Sequence, residues 1–444
     1  MKVLMICIEF PPINTTGNFR SAGLARFMSK TGVKPVILTA EEESAAEAFN
    51  KKVDFALLKG LEDVKIYRFP IESLSKLNKN KYYDYFRIWY NAIDSIGKRW
   101  YKGDNKREIH NIILTEKPDL LYVSLPPFGM AKVAIKLSKK FNLPLITDMR
   151  DAWSLWCSAP YSTRIHYYIV KRIERKLFET SKLIISTSEE MTSDFIKSHN
   201  TIDPAKFKTI YNGYDEFDEI DSSPKIARAT YIIGYVGGFY YDPKVESLLE
   251  TKWYKRKGLK KFYFTPRREY WKYRSPYFFL KALQALIEQE PILKDKVRFD
   301  YIGRAPYWLD AMLKEFGLSD NFVNHGFLAK NKVLEIQATW DSILATSEKV
   351  IDGKHYTIPS KSFDSIKLQK PILAFVTPGS QYNFLKNYKQ SVFFDPDNTQ
   401  ENVETLKSIV SGKLQISFDA LSDDFTRENQ AEKLLQLINK IKNL

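Results

Sequence analysis

Short apolar runs alternate with longer amphipathic stretches along almost the whole chain. The runs are rich in Val, Ile and Leu, which is typical of strands that are covered on both faces of a sheet. Helix-period stretches such as Gly129–Phe141 and His166–Glu179 separate them. This alternation predicts a doubly wound parallel α/β sheet. The runs of the first half are Val3–Ile8, Pro35–Leu38, Val64–Phe69, Leu120–Val123, Pro144–Ile146 and Leu183–Ile185.

The pattern restarts after a polar break near the middle of the chain. Asn212-Gly213 is a turn signal, and an acid-rich stretch without apolar periodicity follows it. We therefore predict two Rossmann-like, doubly wound α/β domains that face a cleft, at residues 1–213 and 231–418. Residues 214–230 form a linker, and residues 419–444 form a C-terminal helix that could pack back on the N-terminal domain. The runs of the second domain are Ile232–Val236, Val297–Ile302, Asn321–Val323, Ser342–Leu344, Ile372–Phe375 and Val392–Phe394.

Composition limits the classes of partner and the compartment. The 68 Lys and Arg exceed the 53 Asp and Glu, so the 444-residue chain carries a net charge of +15. Such an excess favours a partner with negative charge, whether nucleic acid, anionic lipid or a phosphorylated ligand. Two cysteines cannot build a disulfide framework, and the five histidines show no zinc-type spacing. Because no apolar run reaches about 18 residues, we expect a cytoplasmic protein without a bilayer-spanning helix.

The first candidate chemistry lies in loops that follow predicted strands, where open parallel sheets bind their ligands. Gly17 follows the first strand and precedes a helix, so backbone there can approach an anion closely. The dinucleotide fingerprint G-x-G-x-x-G is absent. Asp148, Arg150 and Asp151 end a buried strand, where charges are costly unless they are hydrogen-bonded or functional. An internal Arg–Asp ion pair is the structural alternative.

The second domain carries a long loop that is both basic and aromatic. Residues 252–274 hold ten basic side chains, one acid and eight aromatic residues. Because Arg forks match phosphate oxygens, Arg268 and Arg274 are the leading candidate phosphate ligands and Arg267 is a reserve. A solvated charged hairpin is the alternative for each of them. Lys361 opens a later helix and can also reach a phosphate.

Five segments, taken together and in this order, resemble landmarks of the family 4 retaining glycosyltransferases, which have the two-domain GT-B fold. One is the loop around Gly17, and another is the segment from Thr147 to Trp153. The others are Ile210–Asp215, Ile233–Gly238 and Pro359–Asp364, the last followed by Lys370-Pro371-Ile372-Leu373. The resemblance spans nearly the whole chain.

The resemblance implies a role for each segment. The N-terminal domain would lie on the acceptor side, and the domain at 231–418, with a basic aromatic insertion at 239–273, would bind a nucleotide-sugar donor. Gly17, Arg267, Arg268, Arg274 and Lys361 would contact the donor phosphates. No cofactor and no metal ion are expected, because the family's leaving phosphate can itself take the acceptor's proton.

The resemblance also implies roles for two carboxylates and an arginine. Asp364 stands where the family has the second Glu of its Glu-x7-Glu motif, which binds the donor ribose. The first Glu of that motif is replaced by Tyr356. Arg150, followed by Asp151, stands where much of the family carries His beside the reacting sugar. Arg150 or Asp151 would therefore be catalytic and contact the donor sugar or the acceptor.

A basic amphipathic helix is predicted before the fourth strand. Its aromatic and apolar residues recur at spacings of three and four, and eight Lys or Arg lie among residues 79–107. Such a helix suits the surface of an anionic membrane, and family acceptors are often lipid-linked. Packing on its own domain is the alternative. The face comprises Tyr82, Tyr85, Phe86, Trp89, Ile93, Ile96 and Trp100.

Three functions remain open at this point. The first is a metal-independent retaining glycosyltransferase that acts on a glycan or lipid-linked acceptor in cell-surface polysaccharide biosynthesis. Peripheral contact with the inner face of the membrane would go with this function. The second is a nucleotide-sugar epimerase or hydrolase of the same fold. The third is a non-enzymatic nucleic-acid binder, since basic residues interleaved with aromatic ones can hold single strands. No recognised nucleic-acid module occurs in the sequence, so we expect no nucleic-acid partner.

Overall fold

The computed structural model describes residues 1–15, 17–72, 95–155, 161–214, 229–244, 246, 251–328, 330–419 and 423–442. The chain divides into two compact units. The first comprises Met1–Asp215, Trp253–Pro266 and Asp424–Leu444, and the second comprises Glu216–Lys252 and Arg267–Asp423. This division differs from the expected domains at residues 253–266, which lie in the predicted C-terminal insertion but group with the first unit.

The first unit is built on a parallel sheet flanked by helices. Its strands are β1 (Lys2–Ile6), β2 (Lys34–Ala40), β3 (Lys65–Phe69), β4 (Leu120–Leu125), β5 (Leu145–Met149), β6 (Ser181–Ser186) and β7 (Phe207–Thr209). They pair in the order β3-β2-β1-β4-β5-β6-β7. Its helices before residue 200 are α1 (Asn18–Lys30), α2 (Glu42–Phe49), α3 (Ser95–Trp100), α4 (Gly103–Glu116), α5 (Met130–Phe141), α6 (Arg164–Thr180) and α7 (Glu189–Ser198).

The second unit repeats this plan. Its strands are β8 (Tyr231–Val236), β9 (Arg268–Tyr270), β10 (Val297–Ile302), β11 (Phe322–Asn324), β12 (Ser342–Thr346), β13 (Lys349–Ile351), β14 (Ile372–Phe375) and β15 (Ser391–Phe393). Six of them form a parallel sheet in the order β11-β10-β8-β12-β14-β15, and β13 pairs with β9 as a separate antiparallel ribbon. Its helices are α8 (Tyr277–Gln289), α9 (Leu309–Glu315), α10 (Lys330–Ala338), α11 (Ser360–Lys367), α12 (Ser380–Leu385) and α13 (Thr399–Val410).

The burial of the strands explains the apolar runs in the sequence. All six residues of β4 and all five of β5 are buried, because helices cover both faces of the sheet. All twelve predicted strands are present, with shifts of at most three residues at their ends. The short strands β7, β9 and β13 were not predicted.

The last helix, α14 (Arg427–Lys442), belongs to the first unit. Ala431, Leu434, Leu435 and Ile438 share one buried apolar cluster with strand residues such as Met5 and Ile37. Tyr211 N also donates to Gln430 Oε1 at 2.8 Å. The C-terminal helix therefore completes the cover of the N-terminal sheet.

Each sheet reverses its strand order beside its first strand. β1 lies between β2 and β4, and β8 lies between β10 and β12. Open α/β sheets bind ligands outside the carboxyl ends of the strands at such switch points. The loops that follow β1 and β8 are therefore the places where binding chemistry is expected.

The predicted membrane-facing helix is described only in its last part. Tyr82, Tyr85, Phe86, Trp89 and Ile93 lie outside the described residues. Trp100 is fully buried, donates from Nε1 to Thr39 O at 3.3 Å and packs edge-on against Phe69. That side chain therefore packs within its own unit, as the alternative interpretation had it. Among the residues described, no helix is both long and apolar enough to cross a bilayer.

Candidate active site

The loop after β8 holds a lysine against a pair of glycines. Gly237 has a φ of +98°, which favours glycine, and an added Cβ would lie 2.5 Å from both Cε and Nζ of Lys361. Lys361 lies in the first turn of α11, 126 residues from its partner Tyr235, and donates from Nζ to Tyr235 Oη at 3.2 Å. A second contact joins Nζ to Gly238 O at 3.4 Å. Only a residue without a side chain at 237 leaves room for this arrangement.

The surroundings of Lys361 lower the pKa of its ammonium group. Burial lowers the pKa of its ammonium from 10.5 to about 8, although Tyr240 and Asp364 oppose the shift. The ammonium also lies 4.6 Å from the centre of the Tyr235 ring. A lysine that is poorly compensated by protein carboxylates gains most from an anionic ligand. The N-terminus of α11 adds a second positive contribution at this place.

Three aromatic rings support this loop from below. Tyr235 and Phe239 stack with ring centres 4.0 Å apart, and Phe239 stacks on Tyr301 at 5.6 Å. Tyr235 Oη also donates to Gly238 O at 3.1 Å. The platform fixes the backbone of residues 237–239, so the carbonyl and amide groups of the loop are preorganised.

Arg274 is engaged by two carboxylates. Its Nε donates to Glu348 Oε2 at 2.9 Å, its Nη2 lies 2.7 Å from Glu348 Oε1, and Nε approaches Glu269 Oε1 at 3.1 Å. Burial disfavours ionised Glu348, but Arg274 and then His355 outweigh that effect and lower the pKa of Glu348 to about 2. The guanidinium of Arg274 also lies 5.8 Å from the centre of the Tyr240 ring. If Arg274 binds a phosphate as predicted, it must do so while Glu348 occupies its Nε and Nη2.

Arg267 and Arg268 have surroundings that differ from those of Arg274. Arg268 is exposed on β9, and the alternation of a strand places it on the face opposite to Glu269. Arg267 lies 4.6 Å from the centre of the Tyr356 ring and donates to Lys354 O at 3.2 Å. The structure thus does not group the three predicted arginines on one face.

The predicted ribose ligand lies on the same helix as Lys361. Asp364 is exposed on α11, one turn after Lys361. Tyr356, at the position of the missing glutamate, is 8% exposed and stacked beneath Arg267. The neighbouring His355 is buried and lies 3.1 Å from Thr377 O through Nε2.

In the first unit, the loop after β1 is closed by an ion pair. Arg150 Nη1 donates to Glu9 Oε2 at 3.1 Å, and Nη2 donates to Pro126 O. Gly17 caps α1 directly beneath this pair, since an added Cβ would lie 1.4 Å from Arg150 Nη1 and 2.2 Å from Glu9 Oε2. Arg150 therefore forms an ion pair with Glu9, a residue that the sequence analysis did not propose as part of the site.

The neighbouring carboxylate Asp148 serves the fold. It is fully buried and accepts from Arg20 Nε at 2.8 Å and Nη2 at 3.0 Å, and Tyr122 Oη donates to it as well. Arg20 also donates to Tyr211 O at 2.8 Å. Asp151, one residue beyond Arg150, is half-buried. The buried charge of Asp148 is therefore stabilised by hydrogen bonds from Arg20 and Tyr122.

Several buried polar atoms around this loop lack a hydrogen-bond partner within the described residues. They include Thr15 Oγ1, Asn18 Oδ1, Ser124 Oγ and Arg150 Nε. These residues follow β1, end β4 and follow β5, which are adjacent strands. Buried polar atoms in native proteins usually have a hydrogen-bond partner, so this loop is a candidate binding site.

Clustered metal ligands are one kind of site that the structure could hold. Across the part of the chain that the structure describes, no group of three or more His, Cys, Asp or Glu is placed to hold a metal ion. Lys361 beside the loop after β8 and Arg150 beside the loop after β1 are charged groups that could contact an anionic ligand.

Comparison with known proteins gives a family match and a fold match. Residues 22–216 match the model named Glycosyltransferase Family 4. No protein with a curated description matches the chain in sequence. Sucrose-phosphate synthase of Thermosynechococcus elongatus is 10% identical with a TM-score of 0.58, covering 99% of this chain and 98% of its own.

Two further solved structures share the fold. Anabaena HepE, solved in complex with UDP-glucose, is 14% identical with a TM-score of 0.55, and each chain is covered over 100%. A putative UDP-N-acetylglucosamine 2-epimerase of Listeria monocytogenes is 11% identical with a TM-score of 0.52, covering 99% of this chain and 96% of its own. The predicted family resemblance is confirmed over residues 22–216. The predicted fold class of two parallel-sheet α/β domains is confirmed as well.

Proposed function

We propose that this chain, a GT-B glycosyltransferase whose residues 22–216 match the family 4 model, moves a sugar from a nucleoside diphosphate to a glycan or lipid-linked acceptor. The transfer retains the anomeric configuration and uses no metal ion or other cofactor. It takes place in the cytoplasm, at the inner face of the membrane, in cell-surface polysaccharide biosynthesis. No nucleic-acid partner is involved.

The observation that carries this proposal is the position of Lys361. A departing nucleoside diphosphate needs positive charge near its oxygens, and a preorganised group supplies it at little reorganisation cost. Lys361 lies against Gly237 and Gly238 at the start of α11, where the ammonium and the helix N-terminus act together. Asp364 on the same helix is our candidate for the donor ribose.

The first unit supplies the candidate groups for the reacting sugar and the acceptor. Arg150 Nε is buried and has no hydrogen-bond partner among the described residues, and Gly17 keeps the backbone of the α1 N-terminus close to that guanidinium. We assign Arg150 and Asp151 to contacts with the donor sugar or the acceptor. Arg274, Arg267 and Arg268 are proposed to act on the donor phosphates, Arg274 through the side of its guanidinium that faces Tyr240.

Donor binding tests the first half of the proposal. A ligand that binds only the folded form raises its apparent stability, so UDP-, GDP- and dTDP-sugars are compared by their thermal stabilisation of the chain. One base should stand out, and Lys361→Ala should remove most of that shift. Lys386→Ala, which removes an exposed lysine at the end of α12, is the control and should leave the shift unchanged. Equal loss in both variants would argue against Lys361 as a phosphate ligand.

Product analysis separates the transferase from the alternatives. A transferase releases nucleoside diphosphate in proportion to glycosylated acceptor, and NMR of the product reports whether the anomeric configuration is retained. Isomerisation of the donor without an acceptor would instead identify an epimerase. Donor hydrolysis at an unchanged rate with every acceptor would identify a hydrolase.

A further inference from the structure

The helix α6 presents an unusual face to solvent. A surface helix normally turns polar side chains outward, but here Ile165, Tyr168 and Ile169 are 65%, 64% and 36% exposed. Their spacing of three and four places them on one stripe. The opposite face is packed inward through Val170, Glu174, Leu177 and Phe178. The outward apolar stripe is therefore not required by the fold of the unit.

The segment at residues 253–266 lies beside this stripe. Tyr161 N donates to Phe264 O at 2.8 Å and Phe264 N donates to Tyr161 O at 3.0 Å, which docks the segment just before α6. The Phe264 ring also lies 5.0 Å from that of Tyr167, and the guanidinium of Arg164 lies 5.3 Å from its centre. These contacts fix the segment to the N-terminal end of α6.

This segment adds further exposed rings. Trp253, Tyr254 and Phe262 are 66%, 57% and 57% exposed. Because Phe264 of the same segment is docked at the start of α6, we group these rings with the three α6 residues. We call the group the α6–insertion surface, defined by Ile165, Tyr168, Ile169, Trp253, Tyr254 and Phe262. Large exposed apolar side chains grouped in this way mark an interaction surface rather than ordinary solvent exposure.

The charge of the two segments that carry the α6–insertion surface is mainly positive. Residues 253–266 contain five Lys or Arg and no acid, and residues 164–172 of α6 contain Arg164, Lys171 and Arg172 and no acid. A cavity of about 330 Å³ continues the surface along α6 and is lined by Tyr168, Lys171, Arg172, Arg175 and residues 198–201. Arg175 is partly neutralised by Glu179 at 2.9 Å. The cavity thus offers two or three cations to one anionic group.

We propose that the α6–insertion surface docks the protein on an anionic lipid bilayer, with a headgroup phosphate in the basic cavity. Trp, Tyr and aliphatic side chains enter the interface of a bilayer, while Lys and Arg attract its negative surface. Each basic side chain close to such a surface strengthens partitioning roughly fivefold. Isoleucines at the centre of the surface gain nothing from a single-stranded nucleic acid, which binds by stacking.

A second copy of the chain fits the surface less well. A symmetric dimer would bring the same basic residues of two copies together, and like charges would repel. The inference does not depend on the transferase chemistry, because lipid binding is measured without donor or acceptor.

The test is flotation of the full chain with vesicles of phosphatidylcholine alone or mixed with phosphatidylglycerol. We expect binding only to the mixed vesicles, and weakening by salt because salt screens the surface charge. The test variant is Ile165→Ser with Lys171→Glu and Arg172→Glu. The matched control is Ile292→Ser with Lys294→Glu and Lys296→Glu, which alters an exposed isoleucine and two exposed lysines of the second unit.

The two variants lower the net charge equally, so they separate a local surface from total charge. The test variant should partition at least about tenfold more weakly, while the control stays within about twofold of the unaltered chain. The variant Trp253→Ser with Phe262→Ser should also weaken binding, because the proposed surface includes both segments. Donor-induced thermal stabilisation should persist in all three variants, which distinguishes this surface from the donor site.

Several outcomes would overturn the proposal. Equal loss of vesicle binding in the test and control variants would mean that binding depends on net charge and not on this surface. Binding to phosphatidylcholine alone, or no binding to either vesicle, would remove the anionic bilayer as the partner. A change in oligomeric state of the test variant with unchanged flotation would assign the surface to a second copy, and loss of oligonucleotide binding alone would assign it to nucleic acid.

Discussion

At the scale of single residues, the position of the Lys361 ammonium depends on the glycine backbone that it packs against. Its ammonium can reach Gly238 O and Tyr235 Oη only because position 237 has no side chain. The same closeness removes water, and burial then lowers the pKa of the ammonium to about 8. The group is therefore close to losing its charge in ordinary buffers, and a bound diphosphate would restore it.

This shift predicts how donor affinity depends on pH. Below about pH 8 the free lysine is already protonated, whereas above it the diphosphate binds only together with a proton. The affinity for the donor should therefore fall as the pH rises, by about tenfold between about pH 7 and about pH 9. Titration calorimetry of the unaltered chain measures this directly. Lys361→Met should bind more weakly with an affinity that no longer changes over this interval, and a preserved pH dependence in that variant would point to another group.

The glycine pair offers a second prediction with a control one residue away. Gly237→Ala combines a φ of +98° with a Cβ that lies 2.5 Å from Lys361 Nζ. It should destabilise the second unit by about 1–2 kcal/mol and displace the ammonium, which weakens donor binding. At Gly238 an added Cβ meets nothing within 4 Å, so Gly238→Ala should be mild by both thermal unfolding and donor binding. Similar effects of the two substitutions would contradict this account.

Single residues also show where sequence analysis was limited. Gly17 and Lys361 could be proposed from the sequence because a glycine after a strand and a lysine at a helix start have local signatures. Glu348 and Glu9 were missed because each meets its arginine only after folding, across 74 and 141 positions. Glu348 lies two residues after the buried strand β12. A carboxylate in that position is the signal that could have indicated it from the sequence.

At the scale of elements, the strands covered by helices were the easiest to predict. Their runs of Val, Ile and Leu follow from burial on both faces, whereas β9 and β13 are only three residues long, with two charged residues in β9 and two apolar residues in β13. Their pairing depends on contact between distant parts of the chain and leaves no periodic pattern. The grouping of residues 253–266 with the first unit has the same cause, since it depends on Phe264 meeting Tyr161.

The helix α14 gives a prediction at this scale. Ile438 is fully buried in the cluster that covers the first sheet, so Ile438→Ala should lower the free energy of unfolding of the first unit by about 2–5 kcal/mol. Gln436→Ala alters an exposed residue of the same helix and is the control. Denaturant unfolding followed by fluorescence measures both. Near-identical midpoints would mean that α14 contributes little to the sheet.

At the scale of the whole molecule, the first unit is assembled from separated parts of the chain. A chain that ends at Asp419 keeps the strands of the second sheet but loses α14. We expect amides of β1, β2 and β4 to lose protection in hydrogen exchange, while those of β8, β10 and β14 keep it. Mass spectrometry of the shortened and full chains compares the two sets. Equal loss in both sheets, or in neither, would contradict the division into units.

The return of α14 also orders events during synthesis. The ribosome completes β1 first, but the helix that seals this strand from water emerges after every strand of the other sheet. Nascent chains therefore carry an uncapped apolar patch around Met5 and Ile37 for most of translation, a period in which chaperones have the opportunity to bind.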